Sequence, residues 1–182
     1  MEIGTIGAGA FAQAFAKRAL KAGHKLKLSN DRGPDSLREI INQLGPGAMA
    51  ATKEEAAACE MVLLAVPWDN VPSTLASLPK WKNQILIDGT NPFHGKAGKF
   101  TRADVGNLST SQLIAALAPG ARVVKALNTM IVPTWKLTLS STAREESRLF
   151  RQTTTVRRGK LKTYSQVSAI QSLILETFAM VG

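Results

Sequence analysis

The run "GAGAFA" sets Gly7, Gly9 and Ala12 in the spacing G-x-G-x-x-A. A first glycine lets a strand turn sharply into a helix, and a second lets the backbone approach a pyrophosphate. A small third residue lets helix and strand pack closely, while the helix N-terminus supplies amide donors and the positive end of its dipole. About twenty residues on, where such a motif places the group that reads the adenosine ribose, the chain has Ser29, Asn30, Asp31 and Arg32. A free 2′-hydroxyl calls for a leading acidic residue there. Ser29 and Asn30 can instead donate to a 2′-phosphate, and Arg32 can pair with it through two N–H groups, so the loop suits NADP over NAD. Asp31 is expected to turn to solvent or to cap the following helix.

Little else in the chain has the types and spacing for chemistry. The two histidines, His24 and His94, have no suitably spaced carboxylate, and Cys59 is the sole cysteine. Neither an acid–base pair, nor a metal cluster, nor an intrachain disulfide is therefore expected. His24, in "KAGHK", reads as a surface turn residue, Cys59 as a small buried residue ahead of a strand, and Asp69 as a helix cap. His94 follows "TNPF" and lies nearer the expected cleft.

The elements that would position these groups alternate regularly. "EIGTIG" reads as a strand, and residues 10–21 place Phe11, Ala14, Phe15, Ala19 and Leu20 on one helical stripe. "HKLKLSN" alternates as a second strand. "GPDSLREIINQLG" has a proline near its start, apolar residues at helical spacing and a glycine stop. Thr52 and Glu55 fit a capping box. "MVLLAVPW" and "QILIDGTNP" are continuous apolar strands of the kind covered on both faces of a parallel sheet, and "TSQLIAALAPG" followed by "ARVVKALNT" adds a helix and a strand. The expected architecture is α/β: a Rossmann-type doubly wound, mostly parallel sheet in a single domain. Residues 1–130 form the dinucleotide-binding part and 131–182 a short, irregular C-terminal extension.

With 182 residues, 45% of them hydrophobic, the chain can bury one substantial core but not two full domains. Its longest apolar run, "MVLLAV", falls far short of the roughly 20 residues that span a bilayer. The start lacks a basic segment and a small-residue cleavage site, so a cytoplasmic location is expected, with no membrane partner. The net charge of +10 is uneven: Arg144, Arg148, Arg151, Arg157, Arg158, Lys160 and Lys162 crowd one stretch whose single aromatic is Phe150. Without a stacking ladder or a reading helix, nucleic acid is not the expected partner.

Taken together, "GTIGAGAFAQAFAKRALKAGH", "LSNDRGP", "LLAVPW", "LIDGTNPF" and "ARVVKALNTM" resemble the NADPH-dependent deazaflavin oxidoreductase family, which is related to the nucleotide-binding domains of membrane metalloreductases. The resemblance runs from Met1 to about Met130. It implies that Ala8, Gly9, Ala10 and Phe11 follow the Gly7 turn at the pyrophosphate, and that Asn30 and Arg32 take the 2′-phosphate. Val66, Pro67 and Trp68 would line the cleft. Asn91, Pro92, Ala126 and Asn128 would flank the nicotinamide. The implied reaction passes hydride between NADP(H) and 8-hydroxy-5-deazaflavin, or a flavin such as FMN, with both reacting groups on small-molecule cofactors and no catalytic side chain. A homodimer is left open.

Beyond Met130 the family pattern gives way to "STAREESRLFRQTTTVRRGKLKTYSQ", which is polar, basic and aperiodic. Shifting the reading frame of "RQTTTVRRGKLK" by two bases can yield a run close to the family's turn and helix, so either a genuine basic segment or a frame shift accounts for it. The alternative function is a catalytically impaired NADP-binding module or sensor.

Overall fold

The computed structural model describes residues 1–96 and 99–127. Asn128 and the extension at 131–182 lie outside the described residues, as does the basic stretch.

Strand β1 (Glu2–Ile6) enters helix α1 (Ala10–Lys21), whose bounds match the helical stripe of the sequence, and returns through β2 (Lys25–Ser29). Pro34 starts a 3₁₀ turn (Pro34–Leu37) that runs into α2 (Arg38–Leu44) and stops at Gly45. The edge strand β3 (Ala48–Ala50) and helix α3 (Lys53–Ala57) follow. At the head of α3, Thr52 and Glu55 form the expected reciprocal capping box. Next come β4 (Met61–Leu64), a 3₁₀ turn (Trp68–Asn70), α4 (Val71–Ala76) and β5 (Ile85–Asp88). An antiparallel hairpin, β6 (Phe93–Lys96) and β7 (Lys99–Arg102), precedes α5 (Thr110–Leu117) and β8 (Arg122–Lys125).

Six strands form one parallel sheet in the order β3-β2-β1-β4-β5-β8. The order reverses beside β1, so the switch point lies between β1 and β4. In open α/β sheets ligands bind in the crevice at the carboxyl ends of strands at such a point.

Strand alternation sends apolar side chains to both faces. Met61, Leu63, Ile85 and Ile87 join the core under α1 and α2, whereas Val62, Leu64 and Leu86 pack with Val71, Leu75 and Ile114 on the opposite face. This two-sided burial explains why β4 and β5 read as unbroken apolar runs. Gly4 allows α3 to sit close on β1: a Cβ there would stand 1.9 Å from the Ala56 carbonyl oxygen. Cys59 is buried, as its position before β4 suggests, and burial pushes its thiol pKa up. No helix among the described residues is long and apolar enough to cross a membrane.

Candidate functional site

The turn after β1 is fixed by its own hydrogen bonds. Gly7 N–H donates to the Ser29 carbonyl (3.0 Å), Thr5 Oγ1 donates to the Gly7 carbonyl (3.0 Å), and Gln13 Nε2 donates to the Ala8 carbonyl (2.9 Å). The two glycines serve different ends. Gly7 has φ +108°, and a Cβ there would lie 2.3 Å from the Ala65 carbonyl oxygen of the neighbouring strand end. At Gly9 a Cβ would meet nothing within 4 Å. Gly9 is the N-cap of α1, and its carbonyl accepts from Gln13 N–H (3.0 Å). The amides of Gly9 and Ala10 therefore head the helix, with no preceding turn to accept from them. Phe11 is half-buried, and its ring stands where a Gly89 Cβ would come within 2.7 Å, which closes the floor of the crevice between α1 and the end of β5.

At the tip of β2 the four polar residues part company. Ser29 is fully buried, and its hydroxyl donates to the Thr5 carbonyl (2.7 Å), so it stitches β2 to β1 instead of facing the loop. Asn30 shapes the loop: its Oδ1 accepts from Arg32 N–H (2.9 Å), and its Nδ2 donates to Ser36 Oγ (2.9 Å). Asp31 does not cap the next helix. Its carboxylate pairs with Lys53 Nζ at 2.8 Å, across from the start of α3. Arg32 is exposed at the rim.

On the other side of the switch point, Val66 borders the Gly7 turn, Pro67 is exposed, and Trp68 is half-buried against the core that holds Val62 and Leu64. Asn91 is exposed and Pro92 half-buried. Their loop is held from below by Asp88, which is fully buried. Asp88 Oδ1 accepts from Thr90 N–H (3.0 Å) and Thr90 Oγ1 (2.7 Å), and its Oδ2 accepts from Lys125 Nζ (3.0 Å) and Ser111 Oγ (3.3 Å). Lys125 Nζ also donates to the Thr90 carbonyl. Ala126 is buried at the end of β8, with its N–H directed at the Asp88 carbonyl. Asn128 lies outside the described residues, so its expected place beside the nicotinamide has no structural counterpart here.

Two features of this side escape a reading of the sequence. The β6–β7 hairpin projects Phe93 and Phe100, both exposed, with ring centroids 6.3 Å apart. His94 on β6 also has a carboxylate partner after all, since its Nδ1 contacts Asp69 Oδ1 on the 3₁₀ turn after β4. That contact corrects both the expectation of an unpartnered histidine and that of Asp69 as a helix cap. Twenty-five residues separate the pair, beyond any local spacing rule. Among the described residues no cluster of His, Cys, Asp and Glu could hold a metal ion.

A family model described as "NADP oxidoreductase coenzyme F420-dependent" matches residues 2–92, half of the chain. The chain belongs to this family. A hypothetical protein from Sinorhizobium meliloti has a similar structure, with TM-score 0.73 and 26% identity over 98% of this chain and 83% of its own. A protein described as an F420-dependent NADP reductase, from an Arthrobacter species, gives TM-score 0.61 at 20% identity, covering 96% of this chain and 90% of its own. An Aspergillus terreus reductive aminase solved with NADPH gives 0.60 at 20% identity, over 94% of this chain and 52% of its own. The last two likenesses establish the shared fold. No curated protein matches the sequence significantly.

Proposed function

We propose that the chain is an NADP(H)-dependent oxidoreductase whose second substrate is a deazaflavin or flavin-type ring. The observation that carries this reading is the empty space over Gly9 at the head of α1, with Arg32 exposed at the tip of the adjacent strand. A pyrophosphate would fit the first, and a 2′-phosphate would meet the second. Membership of the F420-dependent NADP oxidoreductase family and likeness to the Arthrobacter protein support the same assignment.

In this reading the amides of Gly9 and Ala10 bind the pyrophosphate, and the α1 dipole adds to their pull. Arg32 pairs with the 2′-phosphate and thereby selects NADP, while Asn30 holds the Arg32 backbone in place. Lys53 neutralises Asp31, which removes the charge that would otherwise repel that phosphate. Val66, Pro67 and Trp68 form a wall of the cleft, and the Asp88–Lys125 bridge fixes the loop that presents Asn91 and Pro92. When bound, NADP(H) supplies the hydride. The chain's part is to hold the two rings in register and to limit water between them.

The test is loss of NADPH absorbance with a panel of acceptors: 8-hydroxy-5-deazaflavin, FMN, a ferric chelate and a quinone. Reduction of the deazaflavin or FMN, faster with NADPH than with NADH, is the expected result. Tight NADPH binding without reduction of any acceptor would replace this reading with that of a binding module.

A further inference from the structure

The Asp69–His94 contact bridges two elements that flank the same half of the crevice. The 3₁₀ turn at Trp68–Asn70 follows β4, and His94 follows the loop after β5. In the reading proposed above, Gly9 and Arg32 hold the pyrophosphate and adenosine ends over β1 and β2, and the reacting end of a dinucleotide would extend across β4 and β5. The bridge would then stand beside the reacting end. We propose that His94, oriented by Asp69, hands a proton to the acceptor as the acceptor takes up hydride. This inference rests on the oxidoreductase reading above.

Hydride addition leaves the acceptor ring with one more negative charge, which a proton neutralises. In the step concerned, a C–H bond at the nicotinamide C4 breaks with its electron pair, and a new bond to hydrogen forms on the acceptor ring, at C5 of a deazaflavin or N5 of a flavin. The electron pair displaced within that ring takes a proton from His94 Nε2. The nicotinamide is oxidised by two electrons, the acceptor is reduced by two, and the neutral imidazole is recharged with a proton from solvent.

The geometry fits this role in two respects. Asp69 engages Nδ1, which leaves Nε2 as the ring nitrogen to face a substrate and fixes the neutral ring as the Nδ1–H tautomer. His94 is half-exposed, with 53% of its side chain open, so it can both reach a ligand and exchange protons with water. Asp88 and Lys125 bind each other and Thr90, and Asp104 accepts from Gly106 N–H (2.8 Å). On the hairpin, Thr101 lies opposite His94, and Lys99 shares that face by strand alternation. Of the described charged groups near His94, Asp69 contacts its ring and Lys99 shares its face of the hairpin.

Two measurements on the full chain test the proposal. Long-range proton–nitrogen spectra of the ¹⁵N-labelled protein should show the neutral His94 ring protonated at Nδ1, and Asp69→Asn should shift the population to Nε2–H. In single-turnover oxidation of NADPH by 8-hydroxy-5-deazaflavin or FMN, His94→Gln should slow hydride transfer by about 100-fold, at the low end for a general acid. His94→Gln should also abolish the fall in rate as pH rises, and NADP⁺ binding should stay within about twofold of wild type. Asp69→Asn, a positioning residue, should cost about tenfold with the same loss of pH dependence. A His94→Gln rate within about threefold of wild type with an unchanged pH profile, or a wild-type ring protonated at Nε2, overturns the proposal and leaves the oxidoreductase reading in place. A wild-type protein that transfers hydride to no acceptor overturns both.

Discussion

At the β1–β2 side of the crevice, the groups that would meet a ligand lie within a few residues of one another. Gly7, Gly9 and Ala10 share one turn, and Asn30 to Arg32 share one loop. At the β4–β5 side the groups are brought together over long stretches of chain, with 25 residues between Asp69 and His94 and 37 between Asp88 and Lys125. The first side is a backbone device whose rules are local: a positive φ, a cap, a close approach. The second is a side-chain device, and it exists only once the sheet has set its strands in order. A cleft of this kind can keep a fixed grip on one end of a dinucleotide while the other end is adapted to a different acceptor.

The sharpest way to break the comparison is to treat the two glycines of the turn alike. Gly7→Val forces a branched side chain onto φ +108° and into the Ala65 carbonyl, and it should destabilise the fold by about 4 kcal/mol, read as a large fall in the thermal midpoint. Gly9→Val adds its side chain to open space. It should leave the midpoint and circular dichroism near wild type and abolish binding of both NADPH and NADH. Similar destabilisation by both would mean that the turn is only structural.

The β4–β5 side should respond to loss of a distant partner. Lys125→Met leaves the fully buried Asp88 without its cation, and should cost about 3 kcal/mol in denaturant unfolding. A loss below about 1 kcal/mol would show that Thr90 and Ser111 alone satisfy the carboxylate.

Arg32→Ala tests the β1–β2 side in affinity. It should weaken NADPH binding by about 1.5–3 kcal/mol in calorimetry and leave NADH nearly unchanged, because a charge-assisted contact to the 2′-phosphate is removed. Equal losses for both cofactors would cancel the 2′-phosphate assignment. The smallest effect belongs to Lys53→Met, which frees Asp31 from its ion pair. NADPH affinity should drop by no more than about 1 kcal/mol, since the Asp31 side chain is 62% exposed, and the difference should shrink as salt is added.

What was legible in the sequence follows the same division. The bounds of α1, the capping box at Thr52 and the parallel apolar strands come from local periodicity and capping chemistry, and the structure repeats them. Three residues of Ala48–Ala50 are too few to show a period, and β3 is recognisable as a strand only through its pairing with β2. The β6–β7 hairpin gives no clear strand period across the glycines and lysines of "FHGKAGKF", and it is recognisable only through pairings such as that of Phe93 with Arg102. Ser29 shows a different limit. A serine at a strand tip can serve a ligand or the sheet equally well, and only the Thr5 carbonyl at 2.7 Å reveals which is met here. The resemblance named Asn91 and Pro92, but not the Asp88–Lys125 bridge that holds their loop.

The central claim is direct hydride transfer in a cleft that grips NADP by its β1–β2 side and presents an acceptor ring on its β4–β5 side. The most direct test is turnover of NADPH deuterated on one face of C4, with 8-hydroxy-5-deazaflavin as acceptor and the reduced product analysed by mass spectrometry and NMR. The account predicts that one of the two C4 faces delivers its deuterium to the acceptor carbon without exchange with solvent. Deuterium lost to water, or delivered equally from both faces, would contradict it.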